Sequence, residues 1–474
     1  MNLKDGISPS SAVAEAFRRQ RSQRDSSVPR DARERDTALA TLQSLVRDNA
    51  HAICAAIDQD FRGRARQETQ LLEIFPSLEG LRHARRHLRR WMAPRRSPTG
   101  LWFLPGRSRV VPQPLGVVGI VVPWNYPLYL AVGPATAALA AGNRAMIKMS
   151  ESAPATGELL ARLVAGRFSP DVLTVVNGGP EVAREFAALP FDHLLFTGST
   201  AVGRHVMRAA ADNLTPVTLE LGGKSPAIVG RGIDLGEAAG RIVFGKCLNA
   251  GQTCIAPDYV LVPRERMDAF AAAAREAVAR LYPRLRDNPD YTAIIDARHR
   301  ARLTGYLDEA RARGASVVEI NPGGEDFAQS PKLPPTLVIG APPDTRVMQE
   351  EIFGPLLPLV PYDTLEAAIA YVNARPRPLA LYVFDHDRAT VDQVVAETIS
   401  GGVTVNETLL HIAQEELPFG GVGQSGMGEY HGRAGFDTFS KRKAVFYQAR
   451  LNGLKLFRPP YGPRFAALVK LLLR

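Results

Sequence analysis

From residue 117 onward the chain alternates short apolar runs with helical stretches, and this alternation limits the fold more than any single residue does. Residues 117–122 are continuously apolar, as expected of a strand covered on both faces. The pattern then predicts a helix over 128–141, a strand over 144–148, a helix over 155–165 and a strand over 172–176. Strands joined by helices at this spacing pair in parallel, because the crossover helix must return across a sheet face. Segment 194–196, a helix after Gly198 and segment 217–221 extend this first series. A second begins with a strand over 227–229 and continues with helix 235–249, strand 259–262 and helix 267–281, followed by further pieces to about Phe384. Residues 402–406 form the last strand-like segment. The expected fold class is therefore α/β with two such lobes, since 474 residues exceed what one ordinary core organises.

Residues 31–92 read as helical, with Leu39, Leu42, Leu45 and Val46 on one stripe and Ile53, Ala56 and Ile57 continuing it. Residues 1–30 read as a mobile arm. Proline and glycine punctuate 94–116, where 102–104 and 109–111 suggest two short strands about a Pro-Gly turn, a protruding hairpin.

The formal net charge is +10, and much of it is arginine between residues 82 and 96. Leu81, Ala84, Leu88, Trp91 and Met92 recur there at helical spacing, so the arginines read as one solvated helix face rather than a nucleic-acid surface. Three cysteines, Cys54, Cys247 and Cys254, lack the pairing or spacing of a disulfide framework or a zinc site, and no metal is expected. Cys54 and Cys247 read as small buried hydrophobes, and a reducing cytoplasm fits all three. No apolar leader follows Met1, and no run is long enough to span a membrane. The apolar tail 465–473 is short and contains Lys470, which suits packing against a partner subunit or peripheral membrane contact.

Several short motifs carry chemistry. Glu220, in Leu-Glu-Leu-Gly-Gly-Lys-Ser-Pro, and Cys254, in Gly-Gln-Thr-Cys, pair a base with a nucleophile suited to carbonyl carbon. Asn125 lies in Pro-Trp-Asn-Tyr-Pro at the end of a buried strand, where two prolines stiffen the backbone enough to aim its amide at an oxyanion. The backbone N–H of Cys254 would complete that oxyanion hole. The turn from Gly198 and Ser199 to Gly203 runs from strand to helix, a geometry that can hold a pyrophosphate. It matches neither Gly-x-Gly-x-x-Gly nor a P-loop. Lys148, Ser150 and Glu151 follow another strand end and offer a donor and acceptors for ribose hydroxyls. Glu351 and Phe353 offer a second carboxylate and an aromatic edge, although Phe353 is as readily a packing residue.

In this order, the motifs resemble the aldehyde dehydrogenase superfamily over residues 31 to 460. The short step from Glu220 to Cys254 and the stretch Pro-Phe-Gly-Gly-Val-Gly-Gln-Ser-Gly-Met-Gly-Glu-Tyr-His-Gly resemble its class 3 branch. Within that branch, Phe-Asp-His-Leu-Leu-Phe-Thr-Gly-Ser-Thr and the motif around Glu220 are similar to bacterial members acting on coniferyl aldehyde. The resemblance implies a Rossmann-like lobe binding NAD or NADP over 1–93 and 114–221, and a catalytic lobe over 222–400. An oligomerisation hairpin and C-terminal segment would occupy 94–113 and 401–474, assembled as a homodimer. It implies Cys254 as nucleophile, Glu220 as general base and Asn125 in the oxyanion hole. Lys148 and Glu151 would touch the adenine ribose, Gly198, Ser199 and Gly203 the pyrophosphate, and Glu351 and Phe353 the nicotinamide side. Tyr126, Thr253, Ile255 and Phe419 flank these motifs and are candidates for an apolar substrate pocket, or equally for packing. The expected reaction is oxidation of an aromatic aldehyde to the acid. Medium- or long-chain aliphatic aldehydes, acyl transfer to coenzyme A, and a non-catalytic binding protein on this scaffold are the alternatives.

Overall fold

A computed structural model describes residues 11–26 and 29–473. Its first element contradicts the sequence expectation. Ala12–Ser26 is a helix with Val13, Ala14, Phe17 and Gln20 buried, one stripe at helical spacing. Phe17 meets the Phe191 ring edge-on at 5.1 Å, Gln20 donates to the carbonyls of Ala145 and Pro170 at 3.0 Å each, and Arg24 pairs with Asp192 at 2.6 Å. Residues 12–26 are therefore docked, not a mobile arm; residues 1–10 and 27–28 lie outside the described residues. The helices Ala32–Asp48 and Phe75–Met92 pack together through Leu39, Leu42, Leu45, Leu81 and Leu88, with the arginines of the second outward as expected.

Sixteen strands occur among the described residues. Two lie between the N-terminal helices and the main sheets, β1 (Arg95–Ser97) and β2 (Arg107–Pro114). Then come β3 (Val117–Val121), β4 (Arg144–Lys148), β5 (Leu173–Val176), β6 (His193–Thr197) and β7 (Val217–Glu220). The second series is β8 (Pro226–Val229), β9 (Tyr259–Pro263), β10 (Ser316–Glu319), β11 (Thr336–Ile339), β12 (Leu356–Tyr362), β13 (Ala380–Phe384) and β14 (Gly402–Val405). The last two are β15 (Gly426–Met427) and β16 (Ser440–Tyr447).

The first sheet has the order β15-β7-β6-β3-β4-β5, parallel except for β15, which runs antiparallel to β7. The chain walks outward from β3 to β5 and then crosses back to lay β6 on the other flank of β3. This reversal opens a crevice at the carboxyl ends of β3 and β6, the usual ligand position in an open parallel sheet. The second sheet is β10-β11-β12-β9-β8-β13-β14, with only β10 antiparallel. Both sheets are covered by helices, which is why their strands are apolar on both faces.

The third sheet, β1-β2-β16, is antiparallel. Residues 109–111 lie in β2 as expected, but 102–104 are not a strand. Leu101–Phe103 is a 3₁₀ turn, because Phe103, Leu104 and Gly106 donate their N–H groups to Gly100, Leu101 and Phe103 instead of to a neighbouring strand. Leu101, Trp102, Phe103 and Leu104 are all exposed, beside exposed Phe446 and Tyr447. The stretch after 401 is not one unit either: β14 completes the second sheet, β15 the first and β16 the third. The tail forms the helix Pro463–Leu472, with no residue buried among those described.

Candidate active site

The crevice is a cavity of about 480 Å³ whose wall includes Asn125, Gly198, Ser199, Glu220, Cys254, Glu351 and Phe353. A larger cavity of about 790 Å³, between helices Ala50–Phe61 and Pro154–Ala165, is lined by Glu151 but by neither Cys254 nor Glu220. The chemistry therefore belongs to the smaller one.

Each functional side chain is set by a strand end or a strained turn. Asn125 follows β3, and its Nδ2 donates to the Gln252 carbonyl at 3.2 Å, tying it to the loop that carries Cys254. In that loop Asn249, Ala250 and Gly251 all have positive φ, at 51°, 50° and 74°. A side chain on Gly251 would place its Cβ 2.3 Å from the Gly354 carbonyl oxygen, so glycine is required there. Asn249 clamps the turn by donating to the carbonyls of Asn125 at 3.1 Å and Gln252 at 3.0 Å. Glu68 accepts from the Asn249 N–H at 3.0 Å and from Thr292 Oγ1 at 2.7 Å.

Arg64 closes this buried network. Its Nη1 donates to the Asn125 carbonyl at 3.1 Å, and its guanidinium lies 4.9 Å from the Phe61 ring centroid and 5.1 Å from that of Tyr126. Glu68 and Glu73 stand 3.6 and 3.8 Å from it. Glu73 in turn accepts from the N–H groups of Leu128 and Tyr129, at the start of the helix Tyr129–Ala140. A buried arginine between two carboxylates leaves few alternative packings, so the oxyanion-side asparagine is held on a rigid frame.

Glu220 ends β7, with Gly426 of β15 directly opposite it. Neither carboxyl oxygen has a hydrogen-bond partner among the described residues, and burial, followed by the charge of Glu429, pushes its pKa well above the ordinary carboxylate value. Burial also raises the pKa of the Cys254 thiol, with Glu351 and Glu220 adding to the shift. Both shifts favour the neutral forms, so a base or a positive charge brought beside the pair favours the thiolate.

The opposite wall has the features of a cofactor cradle. Ser199 caps the helix Thr200–Ala211, its Oγ accepting from the Val202 N–H at 3.4 Å, and Thr200 and Ala201 of the first turn line the crevice. Glu351 packs against bare backbone: a Cβ on Gly222 would lie 2.0 Å from its Oε2. Burial and then the charge of Asp258 raise its pKa to about 8, and its Oε1 has no partner, leaving an acceptor for a ribose hydroxyl. Phe353 holds φ at 50° and meets the Trp124 ring edge-on at 5.4 Å, which fixes it on the wall. These groups fit a dinucleotide.

Other candidates lie elsewhere. Lys148 is buried at the end of β4, its Nζ donating to the Met149 carbonyl at 2.6 Å, and neither it nor Glu151 lines the wall with Cys254. Gly203 sits one turn into its helix, where a Cβ would meet Leu221 at 2.7 Å. Tyr126, Thr253, Ile255 and Phe419 do not line the cavity, and each has a packing reason for its place. Tyr126 Oη and Thr253 Oγ1 bond each other at 2.6 Å, Ile255 is core, and Phe419 is stacked between His411 and His431.

Some wall residues were not anticipated, three of them from one helix. His299, Arg302 and Tyr306 come from the helix Ala297–Ala312 at spacings of three and four, a polar stripe that helical periodicity alone could have found. Arg302 donates to the carbonyls of Glu351 at 3.2 Å and Ile352 at 2.8 Å, so it holds the Glu351 segment in place.

The Aldehyde dehydrogenase family model matches residues 8–445. The chain belongs to that family. The "Probable coniferyl aldehyde dehydrogenase" of Pseudomonas aeruginosa is 56% identical over 97% of this chain and 96% of its own length. The "Coniferyl aldehyde dehydrogenase" of a Pseudomonas species is 49% identical over 91% of this chain and 90% of its own. The substrate-bound Staphylococcus aureus AldH superposes with a TM-score of 0.92 at 36% identity, over 98% of this chain and all of that one. A Mycobacterium tuberculosis aldehyde dehydrogenase complexed with NAD+ gives 0.83 at 29% identity, over 94% of this chain and 92% of that one. This aldehyde dehydrogenase therefore carries the family's architecture along nearly its whole length. Among its described residues no helix is long and apolar enough to cross a membrane.

Proposed function

We propose that this chain oxidises aromatic aldehydes of the coniferyl aldehyde type to carboxylic acids with NAD or NADP. The observation that carries the reading is one cavity wall shared by Asn125, Glu220, Cys254, Glu351 and Phe353. Cys254 Sγ, its proton passed to solvent water, adds to the aldehyde carbon, and Asn125 Nδ2 with the Cys254 N–H receives the oxyanion. When bound, the nicotinamide supplies the hydride acceptor. Loss of hydride from the Cys254 adduct leaves a thioester. Glu220, as the carboxylate, then takes a proton from water as the water oxygen attacks, the C–S bond breaks, and the acid is released from Cys254, which leaves as the thiolate. Glu351 and Ser199 would hold the dinucleotide, with Arg302 keeping Glu351 in position.

Coniferyl aldehyde is favoured by the names of the two Pseudomonas relatives and their near full-length match. Water rather than coenzyme A is favoured as the second nucleophile by a carboxyl placed on the same wall as Cys254. A homodimer through the sheet β1-β2-β16 is supported by its exposed Leu101, Trp102, Phe103, Leu104 and Phe446. Three free cysteines suit a reducing cytoplasm. The test is kcat/KM for coniferyl aldehyde, benzaldehyde and hexanal with each dinucleotide, with product analysis in the presence of coenzyme A. Coniferyl aldehyde should rank first and yield the free acid, whereas a preference for hexanal would overturn the substrate class. Cys254→Ser should lose all oxidation while still binding dinucleotide.

A further inference from the structure

Away from the cavity, the helix Phe75–Met92 carries two histidines one turn apart, His83 and His87, and Glu416 stands against them. One ligating atom from each lies within 4.8 Å of the other two. His83 Nε2 is 3.4 Å from Glu416 Oε1 and makes no hydrogen bond among the described residues. His87 Nδ1 is 3.0 Å from the His83 carbonyl oxygen. A carbonyl only accepts, so Nδ1 is the donor and the His87 lone pair is on Nε2. A ring fixed by Nδ1–H on a carbonyl, with the other nitrogen free, is the usual state of a metal-bound histidine. The two rings lie 4.2 Å apart between centroids and both pack on Trp91, at 5.5 and 5.8 Å.

We propose that His83, His87 and Glu416 form a binding site for a zinc-like divalent transition metal, with the fourth position left to water. Zinc bonds of about 2.0–2.1 Å in a tetrahedron set neighbouring ligand atoms about 3.3 Å apart, and the His83–Glu416 spacing matches that edge. Glu416 has 63% of its side chain exposed and His83 13%, so an ion can enter from solvent. Arg86 and Arg90 lie on the same helix, and their charges oppose any cation held by charge alone. That selects metals with strong imidazole bonds over magnesium or calcium. No metal is expected from cysteine spacing, but two histidines at i and i+4 on one helix need no cysteine.

Bound metal would fasten the helix Phe75–Met92 to the segment holding Glu415 and Glu416. The experiment is calorimetric titration of the full chain with zinc chloride after chelator dialysis. Cys254→Ser serves as the background so that zinc on the catalytic thiol is not counted. One zinc should bind per chain, and His83→Gln, His87→Gln and Glu416→Gln on that background should each weaken it at least tenfold. Zinc should raise the Tm of the background protein and leave that of the His87→Gln/Glu416→Gln variant unmoved. Because the substitutions are made separately, one that fails to fold leaves the others as the test. The site is overturned if Cys254→Ser takes up no zinc at roughly millimolar concentration, or if the substituted variants bind it as tightly as their parent.

Discussion

Replacing Glu220 separates two consequences of burying an unpartnered carboxyl. Glutamine keeps the volume and removes the base, so deacylation should slow by about 10²–10⁴-fold, the usual contribution of a positioned general base. Acylation does not need Glu220 to attack water. Rapid mixing should therefore show a burst of reduced nicotinamide close to one per active site, followed by the slow phase. The stability readout runs the other way. The folded pKa of Glu220 is raised, so between the unfolded value near 4.5 and the folded value the native state binds more protons than the unfolded one. Stability is then fully present at low pH and falls as pH climbs through that window, a fall that Glu220→Gln should lack. Glu220→Leu should go further, because both of its oxygens lack partners and an unmade buried hydrogen bond costs about 1–3 kcal/mol. At about 2.1 cal/mol/K per residue, the 474 residues give an unfolding entropy near 1 kcal/mol/K, so Tm should rise about 1–3 °C. An inactive Glu220→Leu protein that melts below its parent would refute the idea that this carboxyl is kept at the expense of stability. A missing burst in Glu220→Gln would refute its confinement to deacylation.

Asn125→Ala should cost about 3 kcal/mol of transition-state stabilisation, roughly two orders of magnitude in kcat, and steady-state turnover within a few-fold of the parent would remove Asn125 from the oxyanion hole. His193 is buried with its pKa lowered to about 4 by burial, so its contribution is present above the unfolded value near 6.5 and lost as pH falls from there to about 4. Melting scans across that range should show His193→Gln losing less stability on acidification than the parent, by about 3 kcal/mol, and parallel curves would count against the buried neutral imidazole. Phe17→Ala should undock the helix Ala12–Ser26, since deleting a buried phenyl ring costs about 3–5 kcal/mol. Trypsin cleavage after Arg21 should accelerate strongly, and an unchanged rate would mean Phe17 does not hold the helix.

The parallel sheets were legible because strands buried on both faces must be apolar throughout, and the cavity followed because ligands collect where such a sheet reverses its strand order. Glu220, Cys254, Asn125, Glu351 and Phe353 share one wall for the same reason: each follows or ends a strand, or lies in a turn braced against one. What escaped sequence reading depended on distant packing. Arginines mask the stripe of Val13, Ala14, Phe17 and Gln20, so a docked helix looks like a polar tail. Trp102, Phe103 and Leu104 have strand-like composition, yet their backbone groups close a local turn. Arg64 and Glu68 carry no motif, and nothing in their neighbours along the chain reveals that they brace Asn125 and Asn249.

Strand β15 is only two residues long, yet it places the end of the chain beside the carboxyl that must activate water. A nascent polypeptide leaving the ribosome can complete β3 to β7 long before Gly426 is synthesised. Until then the edge of β7 lacks its β15 partner, and Glu220 lacks the Glu429 charge that adds to its raised pKa. The environment of Glu220 is therefore completed late in synthesis, and a chain cut short before Gly426 would carry Cys254 and Asn125 without it.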